Sequence, residues 1–335
     1  MSLAPQIFSR VQRKWHYLFD DMRSELGLNK EKFQKTRGAR IIIYHGICQA
    51  HHMRFNSIFL KLKTFEKHLQ FYKKNFHVIS LDDFYNQQFN KDRFNICISF
   101  DDGFANNYKY VLPLIQKYRV PATFFVTAIR DAGYDILWND ILALSKKYGP
   151  AELQFYNEQF YKNKHGEYVS NINGKYLKDL LQEADFEKKV ILIKLLESGI
   201  SVANKKREED YWLQMTKEEI KKLSQSAFAT IGCHGYYHND LSKISIDKGR
   251  DEIIHSKQFM EKVTGKKIDA IAFPYGAYSQ NIIAEAKAAG FTKLLAADFL
   301  FPEDYTDDSM RERFTVNPHI SVNNQMLAII NGKYR

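Results

Sequence analysis

From about residue 40 to the C-terminus the chain alternates short β-branched and aromatic runs with segments of helical period, and this rhythm limits the folds open to it. The runs fall at residues 40–44 (RIIIY), 77–81, 95–100 (NICISF), 122–127 (ATFFVT), 229–233 (ATIGC), 269–273, 293–297 and 315–322. Helical periodicity follows most of them, at residues 64–74, 82–89, 104–118, 139–148, 185–198, 216–226, 247–264 and 279–289. Strand, helix, strand repetition predicts parallel pairing through crossover helices. Eight such strands predict an α/β fold, either a barrel or an open doubly wound sheet. The 335 residues are 44% hydrophobic with only 7 Pro and 16 Gly, which excludes collagen-like, low-complexity and wholly disordered chains.

Two stretches depart from the rhythm. Residues 128–227 are too long for one crossover and include a polar, Asn- and Lys-rich segment, which predicts an insertion decorating one end of the fold rather than a separate core. Residues 1–37 predict a basic helical arm. Within residues 1–40 nine Lys and Arg oppose four acids, so this segment carries +5 of the chain's +10. Ile7, Phe8, Val11, Trp15, Leu18, Phe19, Met22 and Leu26 recur there at spacings of 3, 4 and 1, an amphipathic stripe. Such a stripe either packs on the main domain or makes peripheral contact with an anionic membrane. The three cysteines, Cys48, Cys97 and Cys233, include no CxxC pair and predict no disulfide framework. No run approaches the roughly 20 apolar residues of a membrane span, and the N-terminus lacks a signal-peptide core. Together these features predict a cytoplasmic location, with the inner face of the membrane within reach of the arm.

Chemistry-bearing residues gather where the apolar runs end, the active face of parallel α/β folds. SFDDG (residues 99–103) places two carboxylates at the end of one run, where Gly103 permits a turn. One Asp can serve as a metal ligand and the other as a base, or one can simply cap the following helix. In CHGYYHNDLS (residues 233–242) His234 and His238 stand four apart, a spacing compatible with one metal or with ordinary packing. AIAFPYGAYS (residues 270–279) ends another run with a Pro and a Gly that could aim a main-chain N–H into a pocket. His319 lies in TVNPHISV (residues 315–322) among β-forming residues.

Taken in order, YHGI (residues 44–47), SFDDG, HGYYH and FPYG resemble the polysaccharide deacetylase family, carbohydrate esterase family four, over roughly residues 38–322. The resemblance implies a distorted parallel (β/α) barrel of seven to eight strands within residues 38–335. It also implies one divalent metal ion, Zn2+ before Co2+, Ni2+ or Mn2+, and removal of acetyl groups from N-acetylated sugars. By position, Asp101 would be the general base and Asp102, His234 and His238 the metal ligands. The main-chain N–H of Tyr275 would bind the oxyanion, and His319 would be the general acid. Where the family often carries an Arg that orients the catalytic Asp, this chain has Ala272, which predicts that Asp101 lacks that partner. His45 of YHGI is expected near the pocket. Trp138 resembles an aromatic that could stack on a sugar, so both are candidate substrate-binding residues. The expected partner is an N-acetylated glycan or its precursor. A deformylase or deacylase of a lipid-linked amino sugar, or a catalytically silent glycan-binding barrel, are the alternatives. No motif or basic-aromatic stripe predicts nucleic-acid binding.

Overall fold

The computed structural model describes residues 3–334. The side chains of residues 3–11 and of Arg13 lie outside that description, and with them the Ile7, Phe8 and Val11 positions of the N-terminal stripe. The strands are β1 (Ala39–Tyr44), β2 (Ile47–Cys48), β3 (Leu60–Lys61), β4 (His77–Ile79), β5 (Asn95–Phe100), β6 (Ala122–Val126), β7 (Glu152–Phe155), β8 (Glu158–Lys162), β9 (Tyr168–Ser170), β10 (Ala229–Cys233), β11 (Ala270–Ala272), β12 (Lys293–Ala296) and β13 (Met310–Thr315). Seven of them run parallel in the order β1, β13, β12, β11, β10, β6, β5, and β5 pairs back with β1 to close a barrel. The short β4 pairs with the first half of β5. Every residue of β5 and β6 is buried, as expected for parallel strands covered on both faces.

Because the barrel strands are parallel, their C-terminal ends share one rim. Helices return the chain outside the barrel, including Leu62–Asn75, Ile246–Thr264 and Gln280–Ala288. The helix at Lys217–Ser224 starts on a reciprocal capping box between Thr216 and Glu219, two hydrogen bonds that satisfy otherwise orphaned N–H groups. At the rim after β5, Gly103 adopts φ +84°, and a Cβ there would sit 2.7 Å from Val126 Cγ1. That turn admits only glycine, so the chain can bend sharply straight after the Asp pair.

The last strand differs from the sequence expectation. Of the run 315–322 only Thr315 lies in a strand: β13 runs earlier, at Met310–Thr315, and a turn leads into the helix Val322–Asn331. The charged run MRERF concealed the strand, while Pro318, which lacks an N–H, is excluded from the interior of a ladder. The insertion also departs from expectation. It comprises the helix Trp138–Tyr148, the antiparallel sheet β7–β8–β9 and further helices, and it has its own apolar cluster that includes Trp138, Leu144, Phe160, Leu192 and Leu196. It is therefore a small core of its own, not mere decoration.

The arm forms the helix Leu3–Glu25. It meets the body along a polar seam: Tyr17, Asp21 and Ser24 are half-buried and Asp20 is buried. Asn324 Nδ2 donates to the Tyr17 carbonyl at 3.0 Å, and the Ser321 hydroxyl donates to Asp21. Among the described residues of the apolar stripe, Trp15, Leu18, Phe19, Met22 and Leu26 are exposed and do not make this contact. Among the described residues no helix is long and apolar enough to cross a membrane. Cys48, Cys97 and Cys233 are free and buried.

Candidate metal and hydrolase site

Three rim residues converge. Asp102 follows β5, and His234 and His238 follow β10. Asp102 Oδ1 lies 3.4 Å from His234 Nε2 and 3.2 Å from His238 Nε2, and the three potential ligand atoms lie within 4.8 Å of one another. All three residues are buried. The outer nitrogens are engaged: His234 Nδ1 sits 2.8 Å from the Ala272 carbonyl and His238 Nδ1 3.0 Å from the Tyr275 hydroxyl. Since a carbonyl only accepts, His234 Nδ1 donates to it, which leaves Nε2 as the nitrogen that faces Asp102 and the one a metal-binding histidine offers. Burial alone would raise the Asp102 pKa, but hydrogen bonds with His234 and His238 hold it well below the ordinary carboxylate value. One carboxylate and two imidazoles fit a zinc-type ion that retains open positions.

The second carboxylate of the pair has another partner. Arg313 of β13 donates from Nη1 to Asp101 Oδ1 at 2.7 Å and from Nη2 to Oδ2 at 2.9 Å. Both residues are nearly inaccessible, with Asp101 4% and Arg313 5% exposed. Burial would raise the Asp101 pKa, yet the Arg313 charge and then that of His234 bring it below its ordinary value, so this carboxylate is ionised without being part of the three-ligand cluster. Asp101 therefore does not lack a guanidinium partner, as Ala272 had led one to expect. The cation comes from two strands away. Its signal was an Arg in the charged run MRERF, which reads as surface until β13 is recognised as a barrel strand.

His45 belongs to the same group. In the β1–β5 ladder Tyr44 is the register partner of Phe100, and the Asp101 N–H donates to the Tyr44 carbonyl at 2.9 Å. The residues that follow these partners, His45 and Asp101, thus leave adjacent strands side by side. Burial lowers the His45 pKa against the opposing charges of Asp102 and Asp101. The Asn107 amide donates to the His45 carbonyl at 3.0 Å and steadies the turn. His319, by contrast, is exposed in the turn after β13, its ring 6.3 Å from that of His52. Trp138 is 1% exposed, under the Lys189 ammonium at 5.1 Å from its ring, and so presents no open face to a sugar.

Two further features were not legible from motifs. Asp140 is buried with Oδ2 unpaired, and burial, then the Asp102 charge, pushes its pKa well above the ordinary value. A carboxyl kept neutral in this way can donate a hydrogen bond. Non-glycine residues with positive φ number seven among the described residues, and three of them are Asp102 (φ 74°), His238 (φ 58°) and Tyr275 (φ 60°). Such conformations cost on the order of 1 kcal/mol or more each and concentrate where function constrains the backbone.

The polysaccharide deacetylase family model matches residues 89–294, more than half of the chain. No curated protein matches the sequence. The fold is similar to that of the Streptococcus pyogenes deacetylase PplD solved with acetate, at TM-score 0.55 and 16% identity over 86% of this chain and 96% of that one. It is also similar to IcaB from Ammonifex degensii (TM-score 0.52, 13% identity, 89% and 97% covered). A de-N-acetylase from Aggregatibacter actinomycetemcomitans is a third (TM-score 0.52, 15% identity, 88% and 98% covered). The matched segment contains Asp101, Asp102, His234 and His238 but neither His45 nor Arg313.

Proposed function

Given a chain that belongs to the polysaccharide deacetylase family, an amide hydrolase of that type, we propose that it removes an N-acetyl group from an amino sugar of a bacterial glycan or glycan precursor. The observation that carries this reading is the ionised Asp101, clamped by Arg313 and left outside the three-ligand cluster beside it. A site built only to bind a metal or a sugar has no use for such a carboxylate, which speaks against a silent binding barrel.

Asp102, His234 and His238 would hold the divalent ion, Zn2+ before Co2+, Ni2+ or Mn2+. Bound there, it would supply an acidified water and polarise the acetyl carbonyl. Asp101 accepts the proton of the attacking water, and Arg313 fixes both carboxylate oxygens so that the base is oriented before substrate arrives. Tyr275 offers its main-chain N–H to the developing oxyanion. The proton-donor role expected of His319 passes in this reading to His45, whose place beside Asp101 suits delivery of a proton to the departing nitrogen.

Acetate release from N-acetylated amino-sugar oligomers by metal-loaded protein tests this reading. Formate release from an N-formyl substrate instead would redirect it to the deformylase alternative. If neither acid is released by protein that holds one equivalent of metal, the hydrolase reading fails for these sugars. His45→Ala should abolish release and His319→Ala spare most of it, and the reverse result would restore His319 as the acid.

A further inference from the structure

The N-terminal helix is built the wrong way round for a helix that serves the protein core. At roughly 100° per residue, Tyr17, Asp20, Asp21 and Ser24 form one seam, and this polar seam faces the body. Trp15, Leu18, Phe19, Met22 and Leu26 occupy the opposite side and are 68%, 56%, 57%, 59% and 72% exposed. The polar contacts that seat the helix reach it from the first turn of Val322–Asn331 and from Asn29, whose amide donates to Ser24 Oγ at 2.7 Å. The described stripe residues from Trp15 to Leu26 thus point outward.

Charge decides what can cover it. Lys14 and Arg23 flank the stripe on its two sides, and Lys30, Lys32 and Arg37 are exposed in the segment that follows. Arg23 and Lys32 also line one groove with Trp15 and Phe19. A second copy of this chain would bring an equally basic face against it, and like charges juxtaposed disfavour that pairing. An anionic bilayer accepts both features, since apolar side chains enter the acyl boundary while Lys and Arg remain at the headgroups, with Trp favoured at that depth.

We propose that the outward stripe of the helix Leu3–Glu25 is a docking surface for an anionic lipid bilayer, holding the barrel at a membrane. The proposal does not depend on which amide the site hydrolyses. The helix rests on the first turn of Val322–Asn331, which begins just beyond β13, so the docked helix borders the rim that carries Asp101 and His45. A substrate anchored in the same bilayer would therefore be presented near the site.

The full chain contains its own probe. Of its three tryptophans, Trp138 and Trp212 are buried and only Trp15 is exposed, so a blue shift of emission on adding vesicles reports Trp15 alone. Phosphatidylcholine vesicles with about a third phosphatidylglycerol should give that shift and pellet the protein. Pure phosphatidylcholine should bind at least 10-fold more weakly, and half-molar salt should weaken the anionic binding. Leu18→Ser with Phe19→Ser and Met22→Ser should cut binding to anionic vesicles at least 10-fold while leaving turnover of a soluble substrate unchanged. Absence of binding to anionic vesicles overturns the proposal. So does binding that the triple variant leaves intact, which would make the contact one of charge alone. A protein that sediments as a dimer, binds no vesicles and becomes monomeric in the triple variant would assign the stripe to self-association.

Discussion

The barrel rim and the N-terminal arm invert the usual distribution of side chains in opposite senses. At the rim, Asp101, Asp102, His234, His238 and Arg313 are charged or titratable and buried; on the arm, Trp15, Leu18, Phe19, Met22 and Leu26 are apolar and exposed. Both arrangements cost stability in the isolated chain, because desolvated charge and hydrated hydrocarbon are each unfavourable. The rim offsets much of its cost internally, through the Arg313–Asp101 pair and the hydrogen bonds of Asp102. The exposed apolar side chains of the arm have no equivalent compensation among the described residues. Self-compensated polarity indicates a site preorganised for chemistry, whereas uncompensated apolar surface indicates a site completed from outside.

The sharpest way to break that contrast is at the rim. Asp101→Asn should lower turnover by at least about 10³-fold, the order expected when a positioned base is removed, while metal content measured by elemental analysis stays at one equivalent. Loss of metal along with activity would make Asp101 a ligand instead. Chelation should likewise silence the enzyme, and readdition of Zn2+ or Co2+ should restore acetate release; activity that survives exhaustive dialysis against chelator with no metal detected would refute the assignment of Asp102, His234 and His238.

Arg313→Met tests the clamp. It leaves Asp101 buried without its cation, so unfolding in urea should show a loss of about 3 kcal/mol or more. Arg313→Lys keeps the charge but not the two-pronged geometry, and should cost about 10- to 100-fold in kcat with a smaller loss of stability. Equal kcat in wild type and Arg313→Lys would show that Arg313 is structural only.

A buried polar residue among core aromatics provides a control of intermediate size. His68 is buried with Nδ1 2.9 Å from the Tyr44 hydroxyl, and burial brings its pKa down to about 3. When folded it is neutral, whereas the unfolded chain protonates it below its ordinary value of about 6.5. The unfolded state therefore binds more protons as pH falls through that range, and stability declines. Between pH 7 and pH 5 the loss from this residue is about 2 kcal/mol, and His68→Gln should remove that part of the acid dependence of the urea midpoint. The smallest effect belongs to the arm. The triple serine variant should leave the melting temperature within about a degree, since exposed substitutions away from packed contacts change stability little.

Where local patterning governs structure, the sequence was readable. The apolar runs at residues 95–100 and 122–127 gave β5 and β6, buried along their length as parallel barrel strands require, and the DDG and HGYYH motifs lie at the rim where β5 and β10 end. What escaped was non-local. Arg313 stands 212 residues from Asp101, and no periodicity pairs them; only closure of β13 against β1 brings that face of the ladder to the Asp pair. The charged letters of MRERF resemble surface, so both strand and clamp were missed together. Trp138 looked like a platform because aromatic character is visible in sequence, but its burial by Lys189 and the insertion's own core is not. The arm's stripe was visible, but the direction it faces depended on a polar seam that a hydrophobicity pattern cannot weigh.

The barrel closes between its first strand and its last, and β1 pairs on one side with β5 and on the other with β13. During synthesis the Asp pair and both histidines therefore emerge well before the residue that clamps Asp101. A chain extended only to residue 300 holds all three candidate metal ligands, but Asp101 lacks its Arg313 clamp and the barrel has an open edge. Contacts this distant in sequence form late, because they close the longest loops. On the proposed mechanism, hydrolytic competence would arrive with the last strand, and the Arg313–Asp101 ion pair forms only once the barrel has closed.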